Sequence, residues 1–126
     1  MAVSEDVWEK ELGALLSSAQ VRELLGGVTR QRVDEMLRSK RLIGLLDSSG
    51  RRRYPAFQFR DGRPLTAVVD AFWVMTGAVG EWSAAAWCTS PDPALDHRTP
   101  ARFAAADGDR ARLMLLAQRD AARLAQ

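Results

Sequence analysis

SAQVRELLGGVTRQRVDEMLRSKRLIGLLDSSGRRRY, residues 18–54, runs two helix signals, a Gly-Gly turn and a basic hairpin together without spare linker. Ser17-Ser18-Ala19-Gln20 has the form of a capping box, so a short helix is expected over residues 19–25 with Val21, Leu24 and Leu25 inward. Gly26-Gly27 ends it, because glycine accepts the left-handed backbone of a tight turn. Thr29 is a good N-cap for a second helix over residues 30–39. Val33, Met36 and Leu37 form its apolar stripe, leaving Arg30, Gln31, Asp34, Glu35 and Arg38 outward. Residues 42–46 (LIGLL) read as a strand, Asp47-Ser48-Ser49-Gly50 as a turn, and residues 51–54 as the returning strand. Pro55 limits continuation of that strand in a sheet centre.

This order is what a winged helix-turn-helix needs. Its second helix lies in the DNA major groove, and residues near that helix's start reach base edges. Arg30 and Gln31 are then the readout candidates, since Arg bonds a guanine edge and Gln an adenine edge in bidentate fashion. Thr29 at the cap is placed to bond a phosphate. Arg32 and Arg38 lie further along the helix, and Lys40 and Arg41 continue the basic surface. Arg51, Arg52 and Arg53 sit where a wing follows the backbone or enters the minor groove. Charge supports the same partner. The net charge is +2, but residues 22–63 alone carry +6, against −3 over residues 1–21 and −1 over residues 64–126. A basic middle between neutral or acidic flanks suggests a localised polyanion contact. Asp34 and Glu35 run against this, as carboxylates repel phosphate, unless they pair with Arg30, Arg38 or Arg32 at helical spacing. Amphipathic helix pairs and solvated arginine clusters also occur in domains that bind no DNA.

Outside this stretch, residues 5–16 have helical spacing, with Val7 or Trp8, Leu12 and Leu15/Leu16 on one side. Residues 58–64 (QFRDGRP) read as a polar connector between a DNA-binding region, residues 1–62, and a helical dimerisation or partner-binding region, residues 63–126. In the latter, residues 65–76 read as a helix stopped by Gly77, and residues 81–87 as a short alanine-rich helix. Residues 88–100 read as an ordered loop. Thr99-Pro100 is a strong helix start. Asp107 is expected to cap a last helix reaching about residue 125. The fold class is therefore mainly α: an N-terminal winged helix-turn-helix with a small β-hairpin, then a C-terminal helical lobe.

Composition narrows the function classes. No apolar run approaches the roughly 20 residues of a membrane span, and the acidic start lacks a signal-peptide pattern. One cysteine, Cys88, excludes an internal disulfide framework, so the expectation is a cytoplasmic protein without membrane contact. His97 is the single histidine, in a loop between Asp96 and Arg98, and no base motif accompanies Cys88. Asp92, Asp96, Asp107 and Asp109 stand in turn and cap contexts rather than at metal-loop spacing. No phosphate-cradling glycine loop is present. The reading is a non-enzyme, with no catalytic residue, metal or cofactor. Trp73, Trp82 and Trp87 lie in apolar helical surroundings that favour core packing, and Trp8, among acids, is a candidate anchor on a second protomer.

Residues 16–46, LSSAQVRELLGGVTRQRVDEMLRSKRLIGLL, resemble the MerR/excisionase-type winged helix-turn-helix. Those domains carry a glycine between the second helix and the first wing strand; Ser39-Lys40 stands there, so a different local turn is expected. Residues 52–59 (RRYPAFQF), and WSAAAWCTSPDPALDHRTPARFAAADGDRARLMLLAQ at residues 82–118, resemble the Xre/MbcA/ParS antitoxin family. The matching positions are Trp87, Pro91 or Pro93, Leu95, Thr99, Pro100 and Phe103, with Asp96 where the family has glycine. The resemblance implies an antitoxin that binds its own promoter and neutralises a RES-type toxin, with Trp87, Leu95 and Phe103 on the toxin side. The partners expected are duplex DNA, a second copy in a homodimer and, where the antitoxin resemblance holds, that toxin. A stand-alone winged-helix regulator without a toxin, and an interaction module that reads no DNA, are the alternatives.

Overall fold

A computed structural model describes residues 5–125. The chain is mainly helical and divides into two compact units, Met1–Pro64 and Leu65–Gln126.

The first unit opens with α1 (Glu5–Leu12) and β1 (Leu15–Leu16). The helical spacing of residues 5–16 therefore misleads in its last turn. Gly13, at φ 83, breaks the helix, and Leu15 and Leu16 pair with Pro55 and Tyr54. Next come α2 (Ser18–Leu24), α3 (Arg30–Arg38), β2 (Leu45–Leu46) and β3 (Arg52–Pro55). The antiparallel sheet has the order β1-β3-β2, with Leu45 opposite Arg53 and Leu46 opposite Arg52. Val21 of α2, Val33 of α3, Leu42 and Tyr54 form a buried core, with Leu25, Met36, Leu37 and Phe59 packed against it.

The expected strand over residues 42–46 shrinks to Leu45–Leu46, for a chemical reason. The β2–β3 register projects Ile43 opposite Pro55, which has no N–H to offer. The side-chain amide of Gln58 fills the gap. Its Nε2 donates to Ile43 O (2.8 Å) and Pro55 O (3.0 Å), and its Oε1 accepts from Ile43 N (2.7 Å). Gln58 is fully buried. Proline thus sits in the central strand because a glutamine stands in for the missing peptide pairing.

A 3-10 turn (Ala56–Gln58) then leads to a hairpin of β4 (Phe59–Arg60) and β5 (Arg63–Pro64). The expected polar connector takes the form of this tight hairpin. Its two loop residues, Asp61 and Gly62, have φ 52 and 73, the paired left-handed conformation that favours Asp-Gly in two-residue hairpin loops.

The second unit comprises α4 (Thr66–Val79), α5 (Glu81–Cys88), a 3-10 turn (Pro93–Leu95), α6 (Pro100–Ala105) and α7 (Arg110–Leu124). Its main packing is α4 against α7. Val68, Val69, Phe72 and Met75 meet a core that also holds Leu113, Leu116 and Ala117. α4 runs through Gly77, which takes no left-handed conformation, and stops at Gly80 with φ 82. Asp109, not Asp107, caps α7, its carboxylate accepting from Ala111 N at 2.9 Å; Asp107 instead takes a left-handed φ of 58 after α6. Thr99 caps α6 as its sequence indicates, accepting from Arg102 N at 3.0 Å, with Pro100 at the first helical position. A Cβ on Gly108 would lie 2.5 Å from the Phe103 ring, so this position admits only glycine without repacking.

Candidate nucleic-acid interface

The segment from Ser17 to Tyr54 is fastened by local chemistry. Ser17 and Gln20 form a reciprocal capping box, with Gln20 N on Ser17 Oγ at 3.2 Å and Ser17 N on Gln20 Oε1 at 2.8 Å. α2 ends in a Schellman motif, Gly26 N to Glu23 O (3.0 Å) and Gly27 N to Arg22 O (2.9 Å). Thr29 Oγ1 accepts from Arg32 N at 3.1 Å and starts α3. α3 ends in the same motif as α2, with Lys40 N on Leu37 O (3.0 Å) and Arg41 N on Met36 O (2.8 Å). Lys40 has φ 62, so a lysine occupies the left-handed position that suits glycine. The backbone turn at Ser39-Lys40 is thus of the glycine type, against the expectation of a different one.

The hairpin between β2 and β3 is equally constrained. Asp47 Oδ1 accepts from Ser49 N (2.9 Å), Ser49 Oγ (2.6 Å) and Arg51 N (3.0 Å). Gly50, at φ 83, supplies the left-handed residue. One carboxylate thereby fixes the loop that presents Arg51.

The candidate residues fall into three groups. Thr29, Arg30, Gln31 and Arg38 on α3, Lys40 after it, and Arg51 and Arg52 on the hairpin are exposed. Arg32 and Arg41 converge on Glu35, at 3.3 and 3.5 Å. All three side chains of that cluster are about half exposed, and such pairs are worth about 0–1 kcal/mol, so they hold the arginines only loosely. Arg53 differs. Strand alternation turns it from Arg52; its guanidinium donates to Leu15 O at 3.3 Å and lies 3.9 Å from Glu9 of α1. Its side chain is 21% exposed, and it ties β3 to β1 and α1.

A recess of about 440 Å³ opens between the start of α2, the start of α3 and the hairpin. Arg30, Asp34, Arg51 and Arg52 line it, with Ser18 and Tyr54. Burial pushes the Tyr54 phenol above its ordinary value, Asp34 adds to that rise, and Arg52 and Arg30 oppose it. Two elements far apart in sequence thus bring their charges to one place. Ser18, Asp34 and Tyr54 escape a sequence search for cations, although the strong cap at Ser17 and the aromatic residue ending the arginine run marked their neighbourhoods.

In the second unit, Leu95 and Phe103 are buried and belong to its internal packing. Arg98 and Arg112 lie over the Phe103 ring, at 5.1 and 5.6 Å from its centroid. Trp87 is half-buried and its indole N–H donates to Asp120 of α7 at 2.9 Å. The other three tryptophans are also half-buried, so core packing is only partial for Trp73 and Trp82. α7 exposes Leu115, 66% accessible, beside Arg112 and Arg119, and Leu124 at its end. His97 is exposed, and Cys88 is fully buried with its thiol pushed far above the ordinary range by desolvation. Among the described residues no group of three or more His, Cys, Asp or Glu is arranged to hold a metal, and no helix is long and apolar enough to cross a membrane.

Comparison with protein-family models, curated proteins and solved structures finds no match to this chain.

Proposed function

We propose that the chain is a cytoplasmic transcriptional regulator that binds duplex DNA sequence-specifically as a homodimer, through a winged helix-turn-helix in its first unit. The succession helix, strand, two helices and a two-stranded hairpin, with β1 paired to β3, supports that architecture. The observation that carries the reading is the convergence of Arg30, at the start of α3, with Arg51 and Arg52 of the hairpin on one recess. A helix start and a hairpin that offer cations to the same side suit a groove and its flanking phosphates.

On this reading α3 enters the major groove, and Arg30 and Gln31 contact base edges. Thr29, Arg38, Lys40, Arg51 and Arg52 meet the backbone, which positions the protein without reading sequence. Arg32 and Arg41 exchange Glu35 for phosphate at small cost, since the exposed pairs are weak. Arg53 builds the hairpin's base rather than the interface. A single helix and wing bury a small surface, so two copies reading half-sites about one helical turn apart supply the affinity. The antitoxin branch, with autoregulation of an operon and a RES-type toxin as partner, rests on the sequence resemblance alone, because Leu95 and Phe103 are buried.

Selection of bound duplexes from a random pool, followed by gel shifts, tests the reading. Arg30→Ala is expected to relax preference at one base position, costing about 1–3 kcal/mol there. The Arg51→Ala/Arg52→Ala double variant is expected to weaken every duplex alike. Selection that enriches no sequence excludes specific readout.

A further inference from the structure

The second unit ends in a helix whose outward side is both apolar and basic. On α7, Ala111, Leu115, Gln118 and Ala122 are exposed and follow one another at four- and three-residue spacing, the pattern by which one helix receives another. Leu115 lines a groove of about 250 Å³ between α7 and the 3-10 turn at Pro93–Leu95, and Arg112 and Arg119 border it. Arg112 donates to Ala94 O and lies over the Phe103 ring, neither of which cancels its charge. Arg119 shares the single carboxylate of Asp120 with Arg123, at 3.4 Å each. Arg110 pairs with Asp70. The charge left over on this side of α7 is therefore positive.

The chain also carries a helix of complementary character. α1 holds Glu5, Asp6, Glu9 and Glu11 against Lys10. Val7 on α1 is 53% exposed in the single chain, as Leu115 is on α7. We propose that α1 of one copy docks on α7 of a second copy, and reciprocally, in a two-fold dimer. Val7 enters the groove beside Leu115, and the acids of α1 meet Arg112 and Arg119. A second α7 suits this surface poorly, because it brings the same arginines. A long polyanion also suits it poorly, since residues 64–126 as a whole carry −1. A short acidic helix meets only the basic side. Reciprocity doubles a contact that one helix alone would leave small. The proposal deepens the homodimer reading, on which it rests, by naming the surfaces that join.

Sedimentation equilibrium of the full chain, without DNA, is the test. The wild type is expected to be a dimer that weakens about tenfold between roughly 50 and 500 mM salt, as charge pairs are screened. Leu115 is exposed, so Leu115→Ala leaves the fold intact; it is expected to weaken the dimer about tenfold or more, because the side chain is lost twice. Gln118→Glu/Arg119→Glu reverses the α7 side. Asp6→Lys/Glu11→Lys reverses α1 and spares Glu9, which lies by Arg53. Each double variant is expected to be a monomer alone. Mixed, the two are expected to form a one-to-one heterodimer, since both contacts are then complementary again. An Asp6→Lys/Glu11→Lys chain that stays dimeric would overturn the proposal and leave a homodimer built on another surface. Leu115→Ala without effect would overturn it too, as would two variants that keep helical circular dichroism yet fail to combine. A wild-type monomer would remove the proposal and the homodimer together. Gel shifts on the same wild-type sample separate the DNA reading: a dimer that takes no duplex removes that reading while leaving the interface.

Discussion

Gln58 shows how one side chain can complete a sheet. Its amide makes three hydrogen bonds in a fully buried place, two to the Ile43 backbone and one to Pro55 O. Gln58→Leu keeps the bulk but leaves Ile43 N–H, Ile43 C=O and Pro55 C=O without partners. The expected loss is about 2–4 kcal/mol in urea unfolding, and a loss below about 0.5 kcal/mol would show that the amide is dispensable. Cys88 makes a second residue-scale prediction. Burial holds its thiol protonated in the folded chain, whereas the unfolded thiol ionises near its ordinary 9.0. The unfolded state therefore binds fewer protons above about pH 9, and stability falls as pH rises. Tyr54, raised from 10.0, acts in the same direction at higher pH. The urea midpoint is expected to drop between pH 8 and pH 10, and by less in Cys88→Ala; an equal drop in both proteins would contradict this.

At the scale of elements, α2 and α3 end in the same motif, but one carries Gly26 and the other Lys40 at the left-handed position. Lys40→Gly is expected to raise stability by about 0.5–1 kcal/mol, because only lysine bears the Cβ penalty there. Gly77 is the converse case. It lies in the exposed interior of α4, and no atom stands within 4 Å of where its Cβ would be. Gly77→Ala is expected to stabilise by about 0.5–1 kcal/mol in thermal unfolding; a loss would mean that α4 needs the flexibility. These positions also mark what was legible in the sequence. Capping chemistry was, at Ser17, Thr29 and Thr99, because a cap is a local bond between residues three apart. Gly77 and Gly80 were not distinguishable, since a helical glycine and a stopping glycine differ only in φ. The shortening of the strand at Leu45–Leu46 was hidden because it depends on Pro55 and Gln58, which approach Ile43 only in the folded chain. At the candidate interface the cations were legible, but not their roles. Strand alternation separates Arg53 from Arg52, and Asp34 shares the recess with Arg30 instead of opposing the whole surface.

At the scale of the whole molecule, the positive charge belongs to one unit. Residues 22–63 carry +6, whereas residues 64–126 are close to neutral at −1. Polyanion binding is thus expected from the first unit, and its signature is a salt dependence set by the number of phosphates neutralised. Base readout adds to affinity without adding to that slope, which separates Arg30 and Gln31 from Arg51 and Arg52 on the proposed reading. The most direct measurement is the duplex association constant from about 50 to 200 mM salt, for the wild type, Arg30→Ala and Arg51→Ala/Arg52→Ala. The double variant is expected to flatten the slope of log K against log salt by about 0.9 for each phosphate it no longer neutralises. Arg30→Ala should keep the wild-type slope and relax the preference at one base position. A wild-type chain that binds no duplex at low salt, or a double variant with an unchanged slope, would contradict the account.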